Sequence, residues 1–235
     1  DYLLSFGERL SAPIVSFALR DIGLNSVSLT GKDAGIVTDS NFGESKPLMD
    51  TTKLRVSHTI EPLLKAGSIP VLTGFIGADQ HGNTTTIGRG GSDYTATIVG
   101  SGIRADEIWL WSDVDGLMTA DPKLVPDARV LNEVSFSEAM EMALFGAKYM
   151  HPRALEPLLQ MMMAETYALE RRTEAARGLG DLKDKRAVPA LIKFIKLSNS
   201  KNYEGGRNVA CWSLAKIVGI KFGTDYSKWL QWWEE

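Results

Sequence analysis

The chain has 235 residues, 44% of them hydrophobic and 23% charged, with 26 Lys and Arg against 29 Asp and Glu. That balance excludes collagen-like, disulfide-scaffold and wholly disordered chains. No apolar run approaches the roughly 18 residues of a membrane span, and no basic region followed by an apolar core opens the chain. One cysteine, Cys211, rules out internal disulfides and cysteine-rich zinc sites, so a cytoplasmic setting is expected. Residues 1–160 carry a net charge of −7 and residues 161–235 a net of +4. Sixteen of the 22 glycines lie before residue 161, and four of the six tryptophans after it. Two domains of different construction, 1–160 and 161–235, are expected. The modest positive charge of the second reads as solvated helix faces rather than a nucleic-acid surface.

The elements follow in order. Residues 3–20 predict a helix with Leu10, Ile14, Phe17 and Ala18 on one face and Pro13 near its middle. A short strand is expected at Ser26–Leu29, an amphipathic helix over 53–66 ended by Gly67, and a buried strand over Pro70–Ile76. A glycine-rich turn at 88–91 precedes a helix from about 92 to 100. Another strand is expected at Glu107–Trp111 and another helix over 136–147. This alternation predicts an α/β layered, largely parallel sheet.

Beyond residue 160 the strands stop. Residues 165–182, 186–197, 206–218 and 225–234 are all helical by pattern, with Pro189 in a first turn. Arg172, Ala175, Leu179 and Leu182 recur as Arg207, Ala210, Leu214 and Ile217, an offset of 35. A period of that size marks stacked helix pairs, although a plain helical bundle remains the alternative. Cys211 and the cluster Trp229, Trp232 and Trp233 read as core. The histidines, His58, His81 and His151, have no spacing that suits a metal triad.

Chemistry concentrates in a few segments. In TTTIGRGGSDYTA, residues 84–96, the glycines allow positive φ and close backbone approach, and Ser92 and Asp93 open a helix whose free N–H groups favour anions. Arg89 adds a fork suited to a carboxylate or phosphate. A tight turn with an N-cap is the plainer reading, and the segment matches neither the Walker nor the dinucleotide pattern. In WSDVDGLMTADPK, residues 111–123, Ser112, Asp113, Asp115 and Asp121 follow an expected strand end, where open sheets bind ligands. The Asp-Gly and Asp-Pro pairs there also fit ordinary turns. Lys148 in FGAKYMHP and Glu8 in SFGER carry little weight singly.

Taken in order, SFGERLSAP, GFIGADQHGNTTTIGRGGSDYTA, WSDVDGLMTADPK and FGAKYMHP resemble the aspartokinases of the amino-acid kinase superfamily, over about residues 1–159. The resemblance implies an α/β/α sandwich that transfers the γ-phosphoryl group of ATP, with Mg²⁺, to the side-chain carboxylate of L-aspartate in amino-acid (lysine) biosynthesis. It implies Glu8 on the substrate ammonium, Arg89 on its carboxylates, and Phe75, Ser92 and Asp93 lining the aspartate site. Asp93 and Lys148 are the implied catalytic pair. Ser112, Asp113, Met118, Asp121 and Lys123 would lie along the nucleotide, Lys123 and Lys148 near its phosphates. Met118 stands where many relatives have tyrosine.

Two departures accompany the resemblance. The family's Lys-Phe-Gly-Gly phosphate loop has no counterpart, so a truncated core with impaired turnover is expected. No ACT module follows FGAKYMHP either. Instead AARGLGDLKDKRAVPALIKFI resembles HEAT-like repeats, which implies protein contacts, with the run MMMAE at 161–165 as the join, natural or artificial. The alternative function is therefore a protein-binding helical module carried on a degraded or fused kinase fragment. An oligomer fits either reading; nucleic acid and membrane are not expected partners.

Overall fold

In a computed structural model the described residues are 1–112, 116–120, 124–135, 138–139, 142, 152–163, 168–183 and 185–234. They form two compact units, Asp1–Trp111 and Ser112–Glu235.

The first unit opens with a 3₁₀ turn, Leu3–Ser5, that runs into α1, Phe6–Asp21. The helix is where the periodicity places it, but its packed face is not. Ala12 and Ser16 are buried, whereas Leu10, Ile14 and Phe17 are 63%, 66% and 66% exposed. Small side chains explain the reversal: they let α1 press onto β1, Ser26–Leu29, where the Ser16 and Ser26 hydroxyls meet at 3.0 Å. Arg20 Nε also donates to the Ser26 carbonyl at 2.6 Å.

Strand β1 pairs in parallel with β2, Ile69–Leu72, from Ser26 opposite Ile69 to Leu29 opposite Leu72. The connection runs through α2, Met49–Lys65, which begins four residues before the expected start. Its inward stripe is Met49, Thr52, Val56 and Ile60. Met49, Val56 and Ile60 join Ala34, Ile36, Ile87, Tyr94 and Ile98 in the core of this unit.

The expected single strand over 70–76 is broken. After β2 the backbone kinks at Phe75, φ +66°, and resumes as β3, Ile76–Ala78. Strand β3 turns back on β4, Thr84–Thr86, with Ile76 opposite Thr86 and Ala78 opposite Thr84. Asp79 holds the turn between them. Its carboxylate accepts bonds from Asn83 Nδ2, the Asn83 and His81 N–H groups and Ser40 Oγ. These donors, the Asn83 side chain foremost, hold the Asp79 carboxyl below its ordinary value. Helix α3, Gly91–Gly102, follows. Glu107–Trp111, expected as a strand, pairs with no strand, and Trp109 and Trp111 are exposed. β-Propensity alone does not make a strand without a ladder partner. The largely parallel sheet is thus, among the described residues, one parallel pair and one antiparallel hairpin.

In the second unit, among the described residues, a single antiparallel bridge joins Met118 to Val130. Most of the helix expected over 136–147 lies outside the described residues. The helices are α4, Pro152–Met162; α5, Leu169–Leu182; α6, Val188–Ser200; α7, Glu204–Val218; and α8, Tyr226–Glu234. Pro189 sits in the first turn of α6, as expected. Helix α5 packs chiefly on α7, α6 on α7 and α4 on α5. The two members of the 35-residue repeat are these partners α5 and α7. Ala175, Leu179, Ala210 and Leu214 are all fully buried. The repeated arginines also play one part: Arg172 lies over the Phe194 ring at 5.0 Å, and Arg207 over Tyr226 at 5.1 Å. Trp229 is buried against Phe222 and Trp232 and donates Nε1–H to the Gly223 carbonyl. Cys211 is buried, and desolvation pushes its thiol up to about 11, which suits a core residue and no nucleophile.

Candidate functional site

The GRGG turn is built for close approach. Gly88 and Gly90 take φ of +84° and +70°, a region where a β-carbon is strained. Gly90 caps α3, so the first N–H groups of that helix open onto the turn. A β-carbon on Gly91 would stand 2.9 Å from Phe75 Cδ2, and one on Gly74 2.9 Å from Ser92 Oγ. The two glycines therefore let the kink at Phe75 dock against the start of α3.

Hydrogen bonds lock that docking. The Phe75 N–H donates to Thr95 Oγ1 at 3.1 Å, and the Thr95 hydroxyl donates to the Gly91 carbonyl at 2.7 Å. The Ile87 N–H closes onto the Phe75 carbonyl at 3.0 Å. Strand β4 is tied from the other side: the Ser45 N–H and hydroxyl both donate to the Thr86 carbonyl at 2.9 Å. Asp1 Oδ2 accepts the N–H groups of Gly43 and Thr86, each at 2.9 Å. A Phe held at positive φ by bonds at both its N–H and its carbonyl is pre-organised rather than adjustable.

The result is a cavity of about 270 Å³ lined by Glu8, Phe75, Gly88, Arg89, Gly90, Gly91, Ser92 and Asp93. All five residues expected at an aspartate site, Glu8, Phe75, Arg89, Ser92 and Asp93, are in it. Arg89 and Ser92 are exposed; Glu8, Phe75 and Asp93 are half-buried. Among the described residues none of Glu8, Arg89 and Asp93 is ion-paired. One guanidinium and two carboxylates stand ready for a ligand that carries both signs of charge. The helix start adds N–H donors for an anionic group.

Of the residues expected along a nucleotide, Ser112 and Met118 belong to the second unit, Ser112 exposed and Met118 half-buried. Asp113, Asp121, Lys123 and Lys148 lie outside the described residues. Thr95, Ser45 and Asp1, which fix the cavity, were not singled out from the sequence. Thr95 carries one readable signal, a hydroxyl four residues after Gly91 on a helix, where it can bond back to a carbonyl. Asp1 and Ser45 act across distant loops and carry none.

Comparison with known proteins gives the family. Residues 1–163 match the amino acid kinase family, and residues 171–196 match the PBS lyase HEAT-like repeat. The chain belongs to the amino acid kinase family. It is similar to the aspartokinase of Pseudomonas aeruginosa, 41% identical over 157 residues that cover 66% of this chain and 37% of that one. It is also similar to the aspartokinase of Rickettsia bellii, 32% identical over 195 residues, 81% of this chain and 47% of the other. A crystal structure of E. coli aspartokinase III in complex with aspartate and ADP superposes with a TM-score of 0.65 at 35% identity. That superposition covers 68% of this chain and 35% of the other. The chain thus spans about a third to a half of the length of these relatives. No helix among the described residues is long and apolar enough to cross a membrane.

Proposed function

We propose that residues 1–160 carry the aspartate-binding part of an ATP-dependent aspartate kinase, which phosphorylates the side-chain carboxylate of L-aspartate. The observation that carries this reading is the single cavity that gathers Glu8, Phe75, Arg89, Ser92 and Asp93 around the start of α3. Glu8 takes the substrate ammonium. Arg89 takes a carboxylate in a charge-assisted, fork-shaped pair, and the Ser92 hydroxyl adds a donor. Phe75 limits the space beside them. Asp93 orients the acceptor end of the substrate.

Phosphoryl transfer leaves a protein little covalent work, so position and charge supply the rate. ATP supplies the phosphoryl group; Lys123 and Lys148 would approach its phosphates, and Ser112, Asp113, Met118 and Asp121 would flank it. Mg²⁺ is held mostly by phosphate oxygens and water with one or two carboxylates.

The join near residue 160 is part of the proposal, supported by the charge reversal and by family matches that end at 163 and begin again at 171. The HEAT-like segment supports a second reading, a protein-binding scaffold. Calorimetric titration of the folded chain with L-aspartate, beside an ADP-release assay with Mg·ATP, separates the two. Saturable aspartate binding that Arg89→Ala removes supports the first. A folded chain that binds neither ligand overturns it and leaves the scaffold.

A further inference from the structure

A second and larger cleft, of about 780 Å³, lies in the first unit and has no part in the aspartate reading. Asp1, Tyr2, Arg9, Thr30, Lys32, Asp33, Phe42 and the stretch Gly82, Asn83 and Thr84 line it. Two of these groups are cations, and both rest on the same short stretch. Lys32 Nζ donates to the Gly82 carbonyl at 3.2 Å, and an Arg9 terminal nitrogen donates to Thr84 Oγ1 at 3.1 Å. Gly82 and Thr84 are two residues apart, so their Cα atoms are at most about 7 Å apart.

Arg9 is fixed in place. Its Nε donates to Ser5 Oγ at 2.8 Å, and its guanidinium lies over the Tyr2 ring at 5.2 Å. Two acidic side chains also line the cleft, and each is engaged by donors other than Arg9 and Lys32. Asp1 Oδ2 takes the Gly43 and Thr86 N–H groups. Asp33 Oδ2 takes the Thr30 N–H and hydroxyl, the latter at 2.6 Å. Among the described residues neither Arg9 nor Lys32 is ion-paired. Two cations that converge on one cleft without an ion pair among the described residues, one of them pre-oriented, suit a doubly charged anion. Tyr2 and Phe42, both more than half exposed, supply flat apolar wall beside the charge.

The geometry points to a binding site for a small phosphomonoester, its dianion between Arg9 and Lys32 and its apolar body against Tyr2 and Phe42. The probe is phenyl phosphate, titrated into the full chain and followed by its ³¹P resonance. A saturable shift is expected. Lys32→Gln and Arg9→Gln should each weaken it about tenfold, the size of one lost charge-assisted hydrogen bond. Lys32 is exposed, so its variant should keep the parent melting temperature even if Arg9→Gln, which also frees Ser5 and Thr84, does not. Arg89→Ala, in the smaller cavity, should leave the titration unchanged. No saturable shift in the parent chain would overturn the site. So would a shift that survives Lys32→Gln but is lost in Arg89→Ala, because the phosphate would then occupy the aspartate cavity.

Discussion

The backbone of Gly91 lies against the Phe75 ring so closely that a β-carbon on the glycine would stand 2.9 Å from Phe75 Cδ2 and 3.2 Å from its Cα. Phe75 cannot retreat. Its N–H is taken by Thr95 and its carbonyl by Ile87, and its φ of +66° leaves little room. Gly91→Ala should therefore move the kink rather than the ring alone. We expect a loss of about 1–3 kcal/mol in stability, the usual cost of overpacking. Aspartate affinity should fall at least about tenfold, read by calorimetry beside a urea denaturation curve.

Arg89 separates binding from folding. The side chain is exposed and makes no ion pair among the described residues, so Arg89→Ala should leave stability within about 0.5 kcal/mol. Aspartate binding should weaken by about 1.5–3 kcal/mol, the worth of hydrogen bonds to a charged group. A parallel loss of melting temperature and affinity would show that Arg89 holds the loop instead of the ligand.

In the helical unit, Gly180 on α5 packs directly against Ser213 on α7. A β-carbon there would meet Ser213 Cβ at 2.6 Å and its Cα at 2.7 Å. Replacing an interior helical glycine with alanine ordinarily gains about 1 kcal/mol in helix propensity. Here the obstacle includes the Ser213 backbone Cα and the Cβ fixed to it, which cannot swing aside. Gly180→Ala should be net destabilising by about 1–2 kcal/mol, measured by urea denaturation. A neutral or stabilising result would mean that α5 and α7 separate freely.

Cys211 makes stability depend on alkaline pH. Burial raises its thiol from 9.0 to about 11, so between those values the unfolded chain loses a proton that the folded chain keeps. Its contribution is complete below pH 9 and is lost as pH rises through about 11. Comparing unfolding free energies of the parent and Cys211→Ala across pH 8–11 isolates this component. The parent should fall more steeply over the window.

How much of this was legible depends on what each residue needs in order to act. The loop 88–93 could be read because glycine, arginine and aspartate announce local geometry and charge, and the cavity gathers those same residues. The repeat could be read because Leu179 and Leu214 recur at one spacing on paired helices. The packed face of α1 could not. Leu10, Ile14 and Phe17 satisfy helical periodicity, yet Ser16 and Ala12 are chosen because only small side chains fit against β1. The turn at Phe75 was equally hidden. A β-prone residue in an apolar run reads as strand, and its left-handed turn follows from Thr95, twenty positions away.

The outward stripe of α1 has a practical consequence. Leu10, Ile14 and Phe17, with Leu3 in the preceding 3₁₀ turn, offer a native surface that apolar fluorescent dyes can bind. Enhanced dye emission from this chain is therefore expected under fully folding conditions, with its near-ultraviolet dichroism intact. Such emission, usually taken as the mark of a loosened, molten state, would here report only a helix whose greasy side faces water.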